Sequence, residues 1–230
     1  GAVLCNFSHG LVERADEDNA WVCVLAKSYE MIDDSTWEFK LRDDVTWHNG
    51  DPFTAADVKY TYERAATDES LAENHIFKVI KEVQIIDDYT VRFATDGPYP
   101  TLLSLLSKNG SQVMPSKYIE ENGLDYYLEH PIGCGPYQFK EWVKDNVVVL
   151  ERYDDYFGGT PYWDEVRFRA IPEASTRVAE LLTGNVDIIV NVPTNEWDRI
   201  NTEENTEMVL GNGTRIYNVI MKWNTSPTQN

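Results

Sequence analysis

The sequence predicts an α/β protein built in two parts. Three observations point there. Short runs alternate apolar and charged residues at the period of half-buried strands. A strand, a helix and a strand follow one another between 164 and 190, the order of a βαβ unit with a parallel pair. Between them the composition changes at His130-Pro131-Ile132-Gly133-Cys134-Gly135-Pro136, a rigid crossing that reads as a domain boundary.

In chain order, Val3 to Val12 reads as a short amphipathic helix, and Glu13 to Asp18 as an exposed polar turn. Trp37-Glu38-Phe39-Lys40-Leu41 has the strand period, and Val45-Thr46-Trp47-His48 repeats it before Asn49-Gly50, a dipeptide suited to a tight turn. Thr54 with Asp57 three residues later marks a helix start, with Val58, Tyr62 and Ala65 on one face. Val83 to Ile86 and Tyr89 to Phe93 read as a hairpin around Asp87-Asp88, and Thr101 to Leu106 as a short apolar helix. Past the crossing, Tyr137-Gln138-Phe139 and Asn146 to Arg152 form a strand pair, and Asp164 to Arg169 is a further strand. Ala174 to Leu182 is a helix that Gly184 ends, and Val186 to Val190 reads as a buried strand.

Composition narrows the function classes. The chain has 230 residues, enough for one large domain or two modest ones, and its 42% hydrophobic content supports a packed core. A formal net charge of -19 repels phosphate backbones and anionic bilayers, so nucleic acid is excluded as a partner. The 3 cysteines, Cys5, Cys23 and Cys134, lack the spacing of a zinc knuckle or a redox pair. A Cys5–Cys23 bridge depends on geometry; the plainer reading is small buried apolar side chains. No run reaches the roughly 18 apolar residues of a membrane helix. Gly1 to Leu4 has neither part of a signal peptide, and the chain reads as if cut from something longer.

Motifs for catalysis are missing. There is no G-x-S-x-G, no H-E-x-x-H and no phosphate-binding loop, and Gly211-Asn212-Gly213 reads as a hairpin turn. The 4 histidines, His9, His48, His75 and His130, stand in unlike contexts, so no metal site is expected; His48 reads as a surface side chain that caps or packs beside its turn. The doubled acids Asp33-Asp34, Asp43-Asp44, Asp87-Asp88 and Asp154-Asp155 lie in predicted turns, where solvation keeps them ordinary.

Laid end to end, these signals resemble the family 5 extracellular solute-binding proteins, the dipeptide, oligopeptide and nickel receptors of ABC importers. Leu25 to Glu30 is similar to L-A-E-S-W-E. Thr36 to Arg42 and then Val45 to Val58 (VTWHNGDPFTAADV) resemble the family signature almost residue for residue, with Asn49 where Asp is commoner. Pro131 to Tyr137 resembles P-V-G-T-G-P-Y with Cys134 in place of a small polar residue, Leu182 to Asp187 resembles L-x-S-G-E-V-D, and Met221 to Asn224 adds a last block.

The resemblance implies a periplasmic-binding-protein-like lobe of the class II type with a smaller inserted α+β domain and the second lobe absent. It places the incomplete lobe at 2–24 plus 132–230 and the insert at 25–131. It implies a monomer that needs no cofactor, binds a peptide or another small polar solute, and docks on ABC permease subunits, in the periplasm or at the cell surface as a lipoprotein. Two lobes would close on the solute, and half a cleft would bind it weakly. The cleft residues it implies are Asn6, Phe7, Ser8 and His9, the polar Asn191, and Tyr217, Asn218, Trp223 and Asn224 of a final strand. Ser8-His9-Gly10 stands where relatives often carry Tyr-Glu-Gly, a departure that bears on peptide binding. Competing readings are a hydrolase on the same fold, which needs a buried pKa-shifted group, and an interaction module of a larger extracytoplasmic protein.

Overall fold

Several apolar runs of this chain alternate at a period of two. The computed structural model, which describes residues 2–14 and 20–210, pairs those runs antiparallel. Two compact units are present, Gly1–Ala170 and Ile171–Asn230.

In the first unit, helix α1 (Ala2–Phe7) is shorter than the helix expected over Val3 to Val12. Its last regular bond runs from the Ser8 N–H to the Leu4 carbonyl, and the Phe7 carbonyl accepts instead from the Gly135 N–H, at 2.9 Å in both cases. Val12 then opens strand β1 (Val12–Arg14), paired with β2 (Trp21–Cys23). Strand β3 (Ala26–Asp33) and strand β4 (Thr36–Leu41) follow as a hairpin. The alternation in β4 buries Trp37, Phe39 and Leu41, as its sequence period requires.

Val45 to His48 also alternates in burial but forms no strand. Among the described residues no strand lies alongside it, and a single bridge from Thr46 to Pro52 closes the turn at Asn49-Gly50. Helix α2 (Ala55–Thr67) starts after Thr54, whose N–H is held by the Asp57 carboxylate at 2.9 Å. After helix α3 (Asn74–Phe77), strands β5 (Ile80–Asp87) and β6 (Thr90–Thr95) form the expected hairpin. They complete a four-stranded sheet in the order β3-β4-β6-β5. The main core lies between this sheet and α2, with Trp47, Tyr62, Phe39, Phe53 and Phe93 fully buried. Leu11, Val12 and Cys134 belong to the same core.

Helices α4 (Leu102–Leu106), α5 (Ser116–Asn122) and α6 (Leu124–Glu129) lead to the glycine-rich crossing. Beyond it, β7 (Tyr137–Val143), β8 (Val147–Arg152) and β9 (Glu165–Arg169) form a three-stranded sheet. Phe7 packs on this sheet with Tyr137 and Leu150, in a second, smaller core.

The second unit contains α7 (Ala174–Leu182), ended by Gly184 at φ 72° as expected, then a 3-10 turn (Thr194–Glu196) and α8 (Trp197–Thr202). The strand expected at Val186 to Val190 is not formed, and no parallel pair exists among the described residues. Ile188 is 84% exposed and Val190 66%. An apolar run becomes a strand only where a neighbour takes its N–H and C=O groups, and none is described beside this one. Among the described residues no helix is long and apolar enough to cross a membrane.

Candidate functional site

The residues after α1 are fixed by the glycine-rich crossing. Phe7 is buried, and its backbone lies so close to the crossing that a Cβ on Gly133 would sit 2.0 Å from the Phe7 oxygen. A Cβ on Gly135 would sit 2.6 Å from the Phe7 carbonyl carbon, so both positions require glycine. Ser8 is buried, with its Oγ donating to the Val113 carbonyl at 3.3 Å and lying 3.9 Å from Cys134 Sγ. The Asn6 side chain is half-buried.

His48 completes this arrangement. Its backbone N–H donates to the Gly133 carbonyl at 2.9 Å. Its ring Nδ1 accepts from the Gly133 N–H at 3.1 Å, and Nε2 donates to the Gly135 carbonyl at 3.0 Å. Phe7 and Tyr153 pack edge-on against the ring, with centroids 5.5 and 4.8 Å away. Burial pulls its pKa down to about 4. His48 is therefore not the surface side chain expected beside a turn; it is half-buried and tied to the crossing by three bonds.

His9 is buried. Its Nδ1 meets Glu13 Oε1 and its Nε2 meets the Tyr156 hydroxyl, each at 2.9 Å, while Phe157 packs edge-on at 5.8 Å. This carboxylate–imidazole–phenol line has the connectivity of an activated nucleophile. Burial, however, raises the Tyr156 pKa, the wrong direction for a nucleophile at neutral pH.

The acids behave mostly as turn residues. Asp33 accepts from the Ser35 N–H at 2.9 Å and Asp87 from the Tyr89 N–H at 2.9 Å, and these bonds hold both below the usual carboxylate range. Asp43 is lowered chiefly by its bond from Lys27. The buried acid is Asp57, which burial pushes up. Its oxygens accept from the Thr54 N–H, from the Ser116 N–H and hydroxyl, and from Trp47 Nε1, at 2.9, 2.8, 2.7 and 3.3 Å. Four internal donors occupy it as a structural acceptor. Among the described residues no group of three or more His, Cys, Asp or Glu could hold a metal ion.

The cysteines are free: Cys134 is buried, with its thiol pushed up to about 11 by that burial, but Cys5 is exposed and Cys23 half-buried. The buried-apolar reading therefore holds for Cys134 alone. Burial needs neighbours on every side, and Cys5, in a six-residue helix, stays exposed with its thiol 3.8 Å from Asn109 Oδ1.

Asn191 lies in the second unit, exposed and in a left-handed conformation at φ 56°. The structure brings Phe7, Ser8 and His9 together within the first unit; Tyr217, Trp223 and Asn224 lie outside the described residues. Sequence reasoning missed His48, Glu13 and Tyr156 as partners of this segment. The available signal was a histidine flanked by a turn, together with two glycines in one crossing, but 85 residues separate His48 from Gly133.

The profile of the bacterial extracellular solute-binding proteins, family 5 Middle, matches residues 20–230. The oligopeptide-binding protein AppA of Bacillus subtilis (strain 168) is 31% identical over 213 residues, which are 89% of this chain and 39% of AppA. The glutathione-binding protein GsiB of Salmonella paratyphi A is 29% identical over 211 residues, 90% of this chain and 41% of GsiB. Among solved structures, AgaA from A. tumefaciens R10 in complex with agropinic acid superposes with a TM-score of 0.80 at 28% identity, covering 87% of this chain and 41% of that one. NikZ from Campylobacter jejuni in complex with Ni(L-His) gives 0.77 at 27% identity, with 87% and 40% covered. The chain thus spans about two fifths of the length of the curated relatives it matches.

Proposed function

The chain belongs to the bacterial extracellular solute-binding proteins of family 5, and on that premise we propose that it forms part of a receptor for an ABC importer. The receptor captures a small polar solute, a peptide first of all, outside the cytoplasm and delivers it to the membrane permease. The observation that carries this reading is the match to one family over residues 20–230.

In this reading, 2–24 with 132–230 belong to one ligand-binding lobe and 25–131 to an inserted domain. The lobe closes with a second one over the solute, and closure is the signal the permease reads. Asn6 to His9, Asn191, Tyr217, Trp223 and Asn224 line the cleft. Ser8 and His9 spend their polar atoms inside the first unit, so their part is to support the wall. Asn191, which is exposed, is the residue assigned to touch solute.

Binding is favoured over catalysis on electrostatic grounds. Asp57 is saturated by internal donors, and Tyr156 is shifted away from reactivity. The receptor works as a monomer and needs no cofactor.

Thermal melting of the full-length protein tests this. Peptides of two to nine residues, glutathione and nickel–histidine are the probes. A probe at one hundred times its Kd should stabilise by about 2.7 kcal/mol, read as a raised Tm. No shift with any of the three would sink the receptor reading. The 230-residue chain alone should show little or none of the shift.

A further inference from the structure

Asn191 holds a left-handed backbone that most side chains avoid and asparagine tolerates. Its carbonyl accepts a bond from a guanidinium. Arg177 stands at the end of the first turn of α7, near the helix terminus where the dipole disfavours a cation. Its side chain reaches three carbonyls. Nη1 donates to Ile171 and to Pro172, both at 2.8 Å, and Nη2 donates to Asn191 at 3.2 Å. The first two carbonyls precede α7; the third follows it, 14 residues beyond Arg177. A planar group with five fixed donors can tie both ends of this segment at once.

The next carbonyl, that of Val192, accepts from Trp197 Nε1 at 3.3 Å. Two successive carbonyls of the turn are thus held by side-chain donors from α7 and α8. The stretch leading into the turn, 186–190, has no strand partner among the described residues, so no β-ladder holds the turn from that side. With its carbonyl bound, Asn191 remains exposed.

We infer that Arg177 is a positioning residue: it sets the Asn191 turn and so aims the carboxamide that the receptor presents to its solute. The inference rests on the reading that Asn191 faces solute. Lysine is a poor substitute, because one ammonium cannot meet three carbonyls in fixed directions.

The experiment compares the full-length wild type with Arg177→Gln and Arg177→Lys. Hydrogen–deuterium exchange is followed in the peptide spanning 186–196, and calorimetric titration uses glutathione and a nonapeptide. Losing bonds from a charged donor should speed exchange there about tenfold in Arg177→Gln, with Arg177→Lys between it and wild type. The affinity for whichever probe the wild type binds should fall about tenfold as well. Exchange unchanged in Arg177→Gln overturns the inference. Faster exchange with unaltered affinity overturns the link from turn to solute while leaving the receptor reading intact. A wild type that binds neither probe counts against the receptor reading instead, and the exchange result alone then decides whether Arg177 sets the turn.

Discussion

His48 faces a backbone N–H with one ring nitrogen and a carbonyl with the other. Gly133 N–H can only donate and the Gly135 carbonyl can only accept, so the ring is the neutral Nε2–H tautomer. A proton on Nδ1 would set two N–H groups against each other. The groups packed around the ring are uncharged: Phe7, the Tyr153 phenol and the glycine backbone. Burial works in the same direction, lowering its pKa from 6.5 to about 4. The unfolded chain therefore takes up this proton first as pH falls. The stability tied to neutral His48 is complete above about pH 6.5 and is lost toward pH 4, about 3 kcal/mol in all. Urea melts between pH 7.5 and 4 should show this slope, and His48→Gln should flatten it; identical slopes would refute the assignment. His9 has a different pair of partners, a carboxylate on one ring nitrogen and a phenol on the other. The His48 environment could not be read from its sequence neighbours, since its partners lie 85 and 87 residues away, and of His9's two partners only Glu13 is local, Tyr156 being 147 residues off.

Elements with local causes were legible. The hairpin of β5 and β6, the start of α2 at Thr54 and the end of α7 at Gly184 each follow from period, cap or turn chemistry within a few residues. The failures share a different cause. Val45 to His48 and Val186 to Val190 have strand composition without a neighbouring strand among the described residues, and the helix after Val3 ends where Gly135 takes up the Phe7 carbonyl. What fixes the crossing in place is the backbone of Phe7 lying against its two glycines. Gly133→Ala should cost about 4 kcal/mol or more, because the contact it violates is backbone and cannot swing aside. Gly135→Ala should be nearly as severe. Thermal melts measure both, and a loss below about 1 kcal/mol for either would show that the crossing can shift.

At the scale of the whole molecule, a net charge of -19 makes self-repulsion a standing cost of the compact state. Raising salt from about 10 mM to 150 mM shortens the Debye length from roughly 30 Å to 8 Å, so Tm should rise over that range. A Tm that falls with salt would mean the ion pairs, such as those of Glu38 with Lys40 and Arg92, outweigh the repulsion. The sequence alone determined the family, the antiparallel hairpins and the absence of the motifs sought for catalysis. These depend on residue order and on short-range spacing, which a chain carries before it folds. Only the tertiary structure decided which polar groups are spent inside the protein: His9 on Glu13 and Tyr156, His48 on the crossing, Asp57 on four donors, Arg177 on three carbonyls. The physical reason is that hydrogen-bond partners and burial are set by distance in space, and packing brings together residues that sequence separation keeps apart.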